Sequence, residues 1–275
     1  MKPMTLTLKG HQTQRVDVAP LTPDLLQGKS RSEIARIPLH AGNRNIPTGD
    51  LFAIDGADTS DLHLRGDCRT LNNIGAGMGG GSITVHGSAG HRLGAAMRGG
   101  QVSVHGDAGD WVGTGMHGGR IEIRGHAGNW VGAGFPGDTY GMNGGTILIS
   151  GSAGERIGDR MRRGSIIIKG DTGAYCGTRM LAGTILVLGT TGEFAGLGMK
   201  RGTLILGRRP KQIVATFNAS GTLKMQFLRI LFRQWMRTYP NLTELRKRGP
   251  LCEYFSGDLT TGGKGELMIL RNAYL

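Results

Sequence analysis

The chain has 275 residues, 38 % of them hydrophobic, and no apolar run long enough to span a bilayer, so it can bury a sizeable core and is not a helical membrane protein. Fifty glycines without a Gly-X-Y period exclude collagen, and their recurrence at fixed places within apolar segments argues against low-complexity disorder. The net charge of +13 bears on partners and not on fold; nucleic acid, anionic cofactors and acidic partner subunits all stay open on that ground.

Residues 1–56 read as an irregular cap. Met1-Lys-Pro-Met-Thr-Leu-Thr-Leu-Lys9 lacks the apolar stretch and cleavage site of a secretory signal, and Cys68, Cys176 and Cys252 form no CxxC pair. Both observations read as a cytoplasmic chain with reduced thiols. Short strands are expected at Leu6–Lys9 and Arg15–Val18, a helical patch over Glu33–Ile37 capped by Ser32, and a strand at Leu51–Ile54.

Residues 57–207 hold one motif repeated seven times. A short β-rich run ends in Gly, a small Asp/Ser/His-Ala-Gly turn follows, and the unit closes on Gly-x-Gly-Met with a glycine pair, as in Val102-Ser-Val-His-Gly-Asp-Ala-Gly-Asp-Trp-Val-Gly-Thr-Gly-Met-His-Gly-Gly119. The strand-closing glycines fall at 66, 87, 106, 125, 151, 170, 189 and 207, giving intervals of 21, 19, 19, 26, 19, 19 and 18. A period near 19 with Ile/Val/Thr runs, and without a leucine-rich consensus, predicts a β-solenoid of about eight coils.

Side chains alternate across a strand, so two columns face inward. One runs from Leu62 and Ile83 to Ile185, the other from Leu64 and Val85 to Val187, and the methionines at 78, 97, 116, 142, 161, 180 and 199 stack as filling. Outward, Arg65, His86, His105, Arg124, Ser150, Lys169 and Leu188 form a basic or titratable ladder at a spacing of about 4.8 Å. A second outward column changes from His63, Thr84, Ser103 and Glu122 to Leu148, Ile167, Leu186 and Leu204, an apolar stripe that needs a cover. The longer interval marks a seven-residue insertion carrying Phe135 and Tyr140, a candidate contact loop.

Residues 208–275 carry 12 Lys/Arg and 4 Asp/Glu, or +8 of the net charge. Thr222–Arg237 reads as a helix whose Arg229, Arg233 and Arg237 form a cationic stripe beside an apolar face, and Asn241-Leu-Thr-Glu244 has the form of a capping box for a second short helix ending near Gly249-Pro250. That apolar face is a candidate cover for the late repeats, a docking face for a partner, or both.

Motifs for chemistry are absent. Three Gly-x-Gly-x-x-Gly matches, at Gly75/Gly77/Gly80, Gly113/Gly115/Gly118 and Gly132/Gly134/Gly137, lie in a period-19 array with no room for the helix a dinucleotide site needs. Of the histidines at 11, 40, 63, 86, 91, 105, 117 and 126, His86 and His105 are expected to be stacked neighbours, but they lack an obvious carboxylate or thiolate companion for a metal site, so surface histidines are the expectation. Aromatics make up 5 % of the chain, and Trp111 and Trp130 sit at equivalent repeat positions where they stack, which argues against a nucleic-acid surface.

Gly113-Thr-Gly-Met-His-Gly-Gly119 and Gly196-Leu-Gly-Met-Lys-Arg-Gly202 resemble the GXGXG right-handed β-helix shared by the C-terminal domain of glutamate synthase large chains and the C subunit of formylmethanofuran dehydrogenase. Leu26-Gln-Gly-Lys-Ser-Arg-Ser-Glu-Ile-Ala-Arg-Ile-Pro-Leu-His-Ala-Gly-Asn-Arg44 and Gly49-Asp-Leu-Phe-Ala-Ile-Asp-Gly56 are similar to the leading segment of the dehydrogenase C subunits. The basic tail is more like that of their bacterial relative, the C subunit of the formyltransferase/hydrolase complex of methylotrophs.

The resemblance implies an all-β, right-handed parallel β-helix acting as a non-catalytic scaffold in one-carbon metabolism. The complex would move a formyl group from tetrahydromethanopterin to a methanofuran-type carrier and hydrolyse it to formate. Carrier and metal are then expected on the formyltransferase and amidohydrolase-like partner subunits, with no cofactor bound by this chain alone. Glutamyl tails of such carriers would meet the basic residues Arg65, Arg124, Lys169, Arg229, Arg233 and Arg237. A molybdenum or tungsten formylmethanofuran dehydrogenase is the alternative complex, and a free-standing polyanion-binding solenoid the alternative of another class.

Overall fold

A computed structural model describes residues 1–10 and 12–272. In chain order the leading segment forms β1 (Pro3–Leu8), β2 (Val16–Asp17), α1 (Pro23–Leu26), α2 (Arg31–Ala35), β3 (Pro38–Ala41), β4 (Arg44–Pro47), α3 (Thr48–Leu51) and β5 (Phe52–Asp55). The repeats supply β6 (Asp58–Arg65), β7 (Leu71–Asn72), β8 (Ser82–Val85), β9 (Gln101–Val104), β10 (Arg120–Ile123), β11 (Asn143–Ile149), β12 (Arg163–Ile168), β13 (Thr184–Val187) and β14 (Arg201–Leu206). The tail forms β15 (Asn218–Lys224), α4 (Phe227–Thr238), a 3₁₀ turn at Thr243–Lys247, β16 (Arg248–Gly257), a second 3₁₀ turn at Leu259–Thr261, and β17 (Lys264–Asn272).

The chain is mostly β. Thirteen strands form one sheet in the order β15-β16-β17-β14-β13-β12-β11-β10-β9-β8-β6-β1-β5, and β4-β3-β2-β7 form a second. From β6 to β14 every neighbour in the large sheet is parallel and in repeat register, with Ile83 beside Val102, Val102 beside Ile121 and Ile121 beside Ile147. A second line of parallel bridges joins Cys68, Ala89, Ala108, Ala127, Ala153, Thr172 and Thr191. The repeats therefore stack copy on copy, held along two lines by backbone bonds. No helix among the described residues is long and apolar enough to cross a membrane.

The inward columns are buried along the whole stack, from Leu62 and Leu64 to Ile185 and Val187, and all seven repeat methionines have no exposed surface. Burial pushes the thiols of Cys68 and Cys176 up to about 12 and that of Cys252 to about 11, which leaves three free, unreactive cysteines.

The last repeat departs from the expected register. Its interval of 18 residues moves the strand by one, so that Leu204 pairs with Ile185 and faces the core, and Ile205 pairs with Leu186 and takes the outward place. Leu204 is thus a core residue and not an outward contact.

Both ends of the stack are closed by strands distant in sequence. β1 lies parallel to β6 and antiparallel to β5, while β17 lies parallel to β14 and antiparallel to β16, which in turn pairs with β15. The leading segment is more ordered than its sequence suggests: Ser30, not Ser32, caps α2, accepting from the Glu33 amide while Glu33 bonds back to the Ser30 amide. Two expectations for the tail also fail. Thr222–Lys224 belong to β15, where Thr222 pairs with Glu253, and the helix starts only at Phe227. Asn241–Glu244 starts a 3₁₀ turn without a side-chain cap, because Glu244 bonds Lys169 instead, and Gly249 and Pro250 lie inside β16.

The GxG glycines hold the corners. Gly94, Gly113, Gly132 and Gly158 have φ of 63° to 68°, and a Cβ on any of them would lie 2.4 to 2.6 Å from the Cδ1 of an isoleucine in the core. At Gly115, by contrast, φ is 61° but a Cβ would meet nothing within 4 Å, and Ala96 occupies the equivalent site of the preceding repeat at 53°. Gly113→Ala is accordingly expected to cost about 2–4 kcal/mol, backbone strain plus overpacking against Ile147, and Gly115→Ala about 1–2 kcal/mol from strain alone. Urea unfolding of the two variants checks the difference; equal losses would show that space inside the corner is not what requires glycine.

Candidate interaction surfaces

The outer face of the large sheet has two halves. In the first four repeats it presents Asp61, His63 and Arg65, then Ser82, Thr84 and His86, then Gln101, Ser103 and His105, then Arg120, Glu122 and Arg124, none of them buried. From the fifth repeat its centre becomes Leu148, Ile167, Leu186 and Ile205, each no more than 1 % exposed.

The tail accounts for that burial. Leu228, Phe232, Trp235 and Tyr239, spaced by four, three and four residues, put one face of α4 and its C-cap on the apolar stripe, with Cys252, Met268 and Leu270 completing a second core. Leu148, Ile167 and Leu186 lie under the chain's own helix. Arg229, Arg233 and Arg237 remain exposed on its outer side.

The open half is polar and compact. His86 Nε2 and His63 Nδ1 are 3.0 Å apart, the His86 and His105 rings meet edge to face at 5.2 Å, and Asp61 lies 3.4 Å from His63. Burial lowers the pKa of His86 and of His105, with Arg65 and Arg124 adding to the effect, so both rings are neutral at pH 7. Burial raises that of Glu122, against Arg120 and Arg124. Among the described residues no group of three His, Cys, Asp or Glu side chains converges as metal ligands would; His11 lies outside the described residues. Of the expected basic ladder, Arg65 and Arg124 are exposed, but Lys169 is engaged, 2.9 Å from Glu244 and donating to the Asn241 carbonyl.

Small polar residues at the turns are committed to the fold. Ser88, Asp107, His126, Ser152 and Asp171 each accept a backbone N–H from the next repeat at 2.7 to 3.0 Å. Asn72, His91, Asp110 and Asn129 form a parallel series at 2.8 to 3.0 Å. His91 and His126 serve here as Nδ1 acceptors, a role that needs the neutral ring.

A third surface runs along one corner. Asn73, Arg92, Trp111, Trp130, Arg156, Tyr175 and Phe194 occupy one repeat position, all at φ of 57° to 65°, where a non-glycine residue costs about 1–2 kcal/mol. Their side chains stack: Trp111 on Trp130 at 4.7 Å and 6°, Tyr175 on Phe194 at 5.1 Å, and the Arg156 guanidinium 4.6 Å above Tyr175. The insertion joins in, with Phe135 half-buried 5.1 Å from Trp111 and beneath Arg92, and Tyr140 exposed beside Arg162. Asp138 accepts from the Phe135 amide, and Arg160 donates to the Asp138 carbonyl, which orders the loop. The buried Asp159 carboxylate beneath it pairs with Arg179. The two tryptophans are legible in the sequence, whereas Arg92, Arg156, Tyr175 and Phe194 are not singled out there, although from Gly87 onward the column falls on the fifth position after each closing glycine.

Comparison with known proteins adds the following. A family model described as the GXGXG motif matches residues 81–231. The chain is 41 % identical over 91 residues to the Fhc C subunit of the formyltransferase/hydrolase complex of Methylorubrum extorquens, covering 32 % of this chain and 34 % of that protein. It is 36 % identical over 75 residues to the C subunit of molybdenum-containing formylmethanofuran dehydrogenase 1 of Methanosarcina barkeri, covering 26 % of this chain and 25 % of that protein. These alignments span a quarter to a third of the curated relatives' length. The structural likeness is longer: one chain in the crystal structure of the formyltransferase/hydrolase complex from Methylorubrum extorquens, determined with methylofuran, superposes with a TM-score of 0.89 at 39 % identity, covering 98 % of this chain and 100 % of that one.

The acceptor role of His91 makes stability depend on pH. Burial, Arg15 and Arg92 lower its pKa from 6.5 in the folded chain, opposed by Asp110, so the unfolded chain binds more protons as the solution turns acid. Its contribution is complete above pH 6.5 and is lost as pH falls through the folded value. His91→Asn, which installs the acceptor already used at Asn72 and Asn129, is expected to match the parent Tm at pH 8 and to show a shallower fall toward pH 5. Thermal melts across that range check this, and an unchanged slope would remove His91 from the acid response.

Proposed function

Because this chain belongs to the GXGXG-motif family, we propose that it acts as the C subunit, without an active site of its own, of a formyltransferase/hydrolase complex of one-carbon metabolism. The observation that carries the reading is the likeness to a chain of that solved complex along its whole length, basic tail included. In this reading partner subunits with formyltransferase and amidohydrolase-like folds transfer the formyl group to a methanofuran-type carrier and hydrolyse it to formate, and they hold the carrier and the metal.

The architecture proposed for the role is a right-handed parallel β-helix, with residues 1–56 as its cap, 57–207 as its coils and 208–275 as its closing extension. Support comes from the unbroken parallel pairing of β6 to β14 and the second bridge line at Ala89, Ala108, Ala127 and Ala153. Stacked coils make a rigid body with long faces, which suits a scaffold. The corner of Trp111, Trp130 and Phe135 and the open polar half are the surfaces left for partners, since Leu148, Ile167 and Leu186 are already covered. Arg65, Arg124, Arg229, Arg233 and Arg237 are exposed and attract the glutamyl tail of the carrier electrostatically; binding that ignores salt, or survives their replacement by serine, sinks that part of the reading.

The likeness to a dehydrogenase C subunit supports a second reading, a component of a formylmethanofuran dehydrogenase. Purification at native expression separates the two. The expected result is recovery with formyltransferase and amidohydrolase-like chains and no redox subunit. A copurifying molybdenum or tungsten subunit selects the dehydrogenase, and recovery as a lone monomer leaves the free-standing polyanion binder.

A further inference from the structure

Between α4 and the leading ends of the early repeat strands lies a groove of about 690 Å³ that the proposed scaffold role does not use. Its floor is a polar column, Ser82, Gln101, Arg120, Thr146 and Ser165, and its far wall is the side of α4 that carries Gln234, Trp235 and Thr238. Among the described residues no acidic side chain lines it, though Asp61 accepts from the Ser82 hydroxyl at one end. The volume is that of a small-molecule or short-segment site.

Two features are unexplained by the fold alone. Arg120 lies with its guanidinium 5.2 Å from the centre of the Tyr239 ring and makes no salt bridge among the described residues, although the charge of Glu122, two residues on along the same strand, acts on both Arg120 and Tyr239. The Tyr239 residue is 2 % exposed, and its buried hydroxyl makes no hydrogen bond of regular geometry, although Arg120 and Thr146 lie near enough to act on its oxygen as hydrogen-bonding neighbours. A guanidinium offers a planar fork of donors that matches a carboxylate, and a phenol adds a further donor. Arg233 and Arg237 on the rim of α4 make the approach positive.

We propose that this groove is a carboxylate-binding site, in which Arg120 takes the two carboxylate oxygens and the Tyr239 hydroxyl donates to one of them. Burial raises the Tyr239 pKa, so the phenol keeps the proton it donates. Gln101, one of whose two amide N–H groups donates to Ser103, keeps a second N–H and its carbonyl oxygen, both neutral, and so bounds the site without adding to the charge recognition. The site is defined by residues of this chain alone and stands whether or not the proposed complex forms.

The test uses the full chain at low salt, with Trp235 fluorescence and thermal shift as readouts. The probes are glutarate, a free dicarboxylate, and acetyl-Ala-Glu-Ala-amide, a side-chain carboxylate in a peptide, with the neutral diamide of glutarate as control. Saturable binding of either acid but not the diamide is expected; tighter glutarate assigns a free metabolite, tighter peptide a polypeptide segment. Arg120→Gln should weaken binding at least tenfold, and Tyr239→Phe about tenfold. Tyr239→Phe should also hold or raise the unliganded Tm, since it removes a buried hydroxyl that makes no regular hydrogen bond. A purely structural role for the pair predicts the reverse, a lower Tm with no binding to lose. Absence of saturable binding, or binding that persists in Arg120→Gln and disappears in Arg233→Ser/Arg237→Ser, overturns the proposal.

Discussion

Each repeat satisfies its backbone on the next one. The closing glycines show it most directly: the amide of Gly106 donates to the carbonyl of Gly87, that of Gly125 to Gly106, that of Gly151 to Gly125, that of Gly170 to Gly151 and that of Gly189 to Gly170, all at 2.9 to 3.1 Å. Such a chain of bonds allows little variation in path where two repeats touch: the insertion is expelled at residues 133–140, one residue slips between Asn143 and Thr146, and from Thr146 on the register is that of the other repeats, with Ile147 beside Ile121 and Ile166. It also leaves two open ends. An unpaired sheet edge is a template for another chain, and the protein answers at each end with a strand taken from elsewhere in its own sequence, β1 at the start and β17 at the finish.

What the stacking leaves free is the outer surface, and the chain treats its two halves in opposite ways. Late repeats present aliphatic residues outward, and burying each beneath the tail contributes about 1.5–3 kcal/mol, which ties α4 to the body of the protein. Early repeats present polar residues, among which His86 and His105 are held neutral by partial burial and neighbouring arginines. The corner column makes a third use of position. Seven non-glycine residues accept left-handed backbone there, and stacking of rings and guanidinium groups, about 0.5–1.5 kcal/mol for an aromatic pair, offsets part of the strain.

The stack was legible in the sequence because both of its periods are short and strict. Alternation along a strand separates Val102 and Val104 from Ser103, and an interval of 19 aligns them with Ile121 and Ile123. The longer intervals of 21 and 26 leave the faces as expected, but at the last interval the expectation fails at Leu204, since one residue fewer reverses every face of a strand. The tail was legible only in part. Leu228, Phe232 and Trp235 carry a helical spacing, but β15 and β16 are defined by pairing across the tail, as between Asn218 and Ser256, and β17 by pairing with β14, as between Leu267 and Leu204. No local pattern encodes those partners. Lys169 shows the same limit at one residue: its column marks it as outward, and only the folded tail brings Glu244 to it.

Tyr239 joins the two halves of the surface. It belongs to the apolar seal with Phe232 and Trp235, and with Arg120 it also lines the groove on the polar side. The groove therefore exists only while α4 is docked, because its far wall is the helix itself. A ligand that binds the docked arrangement alone stabilises that arrangement by mass action, and a looser seal weakens the ligand by the same factor. The tail is thus more than a lid over aliphatic residues: its docking equilibrium and the occupancy of the groove form one linked pair, with Tyr239 as the residue common to both.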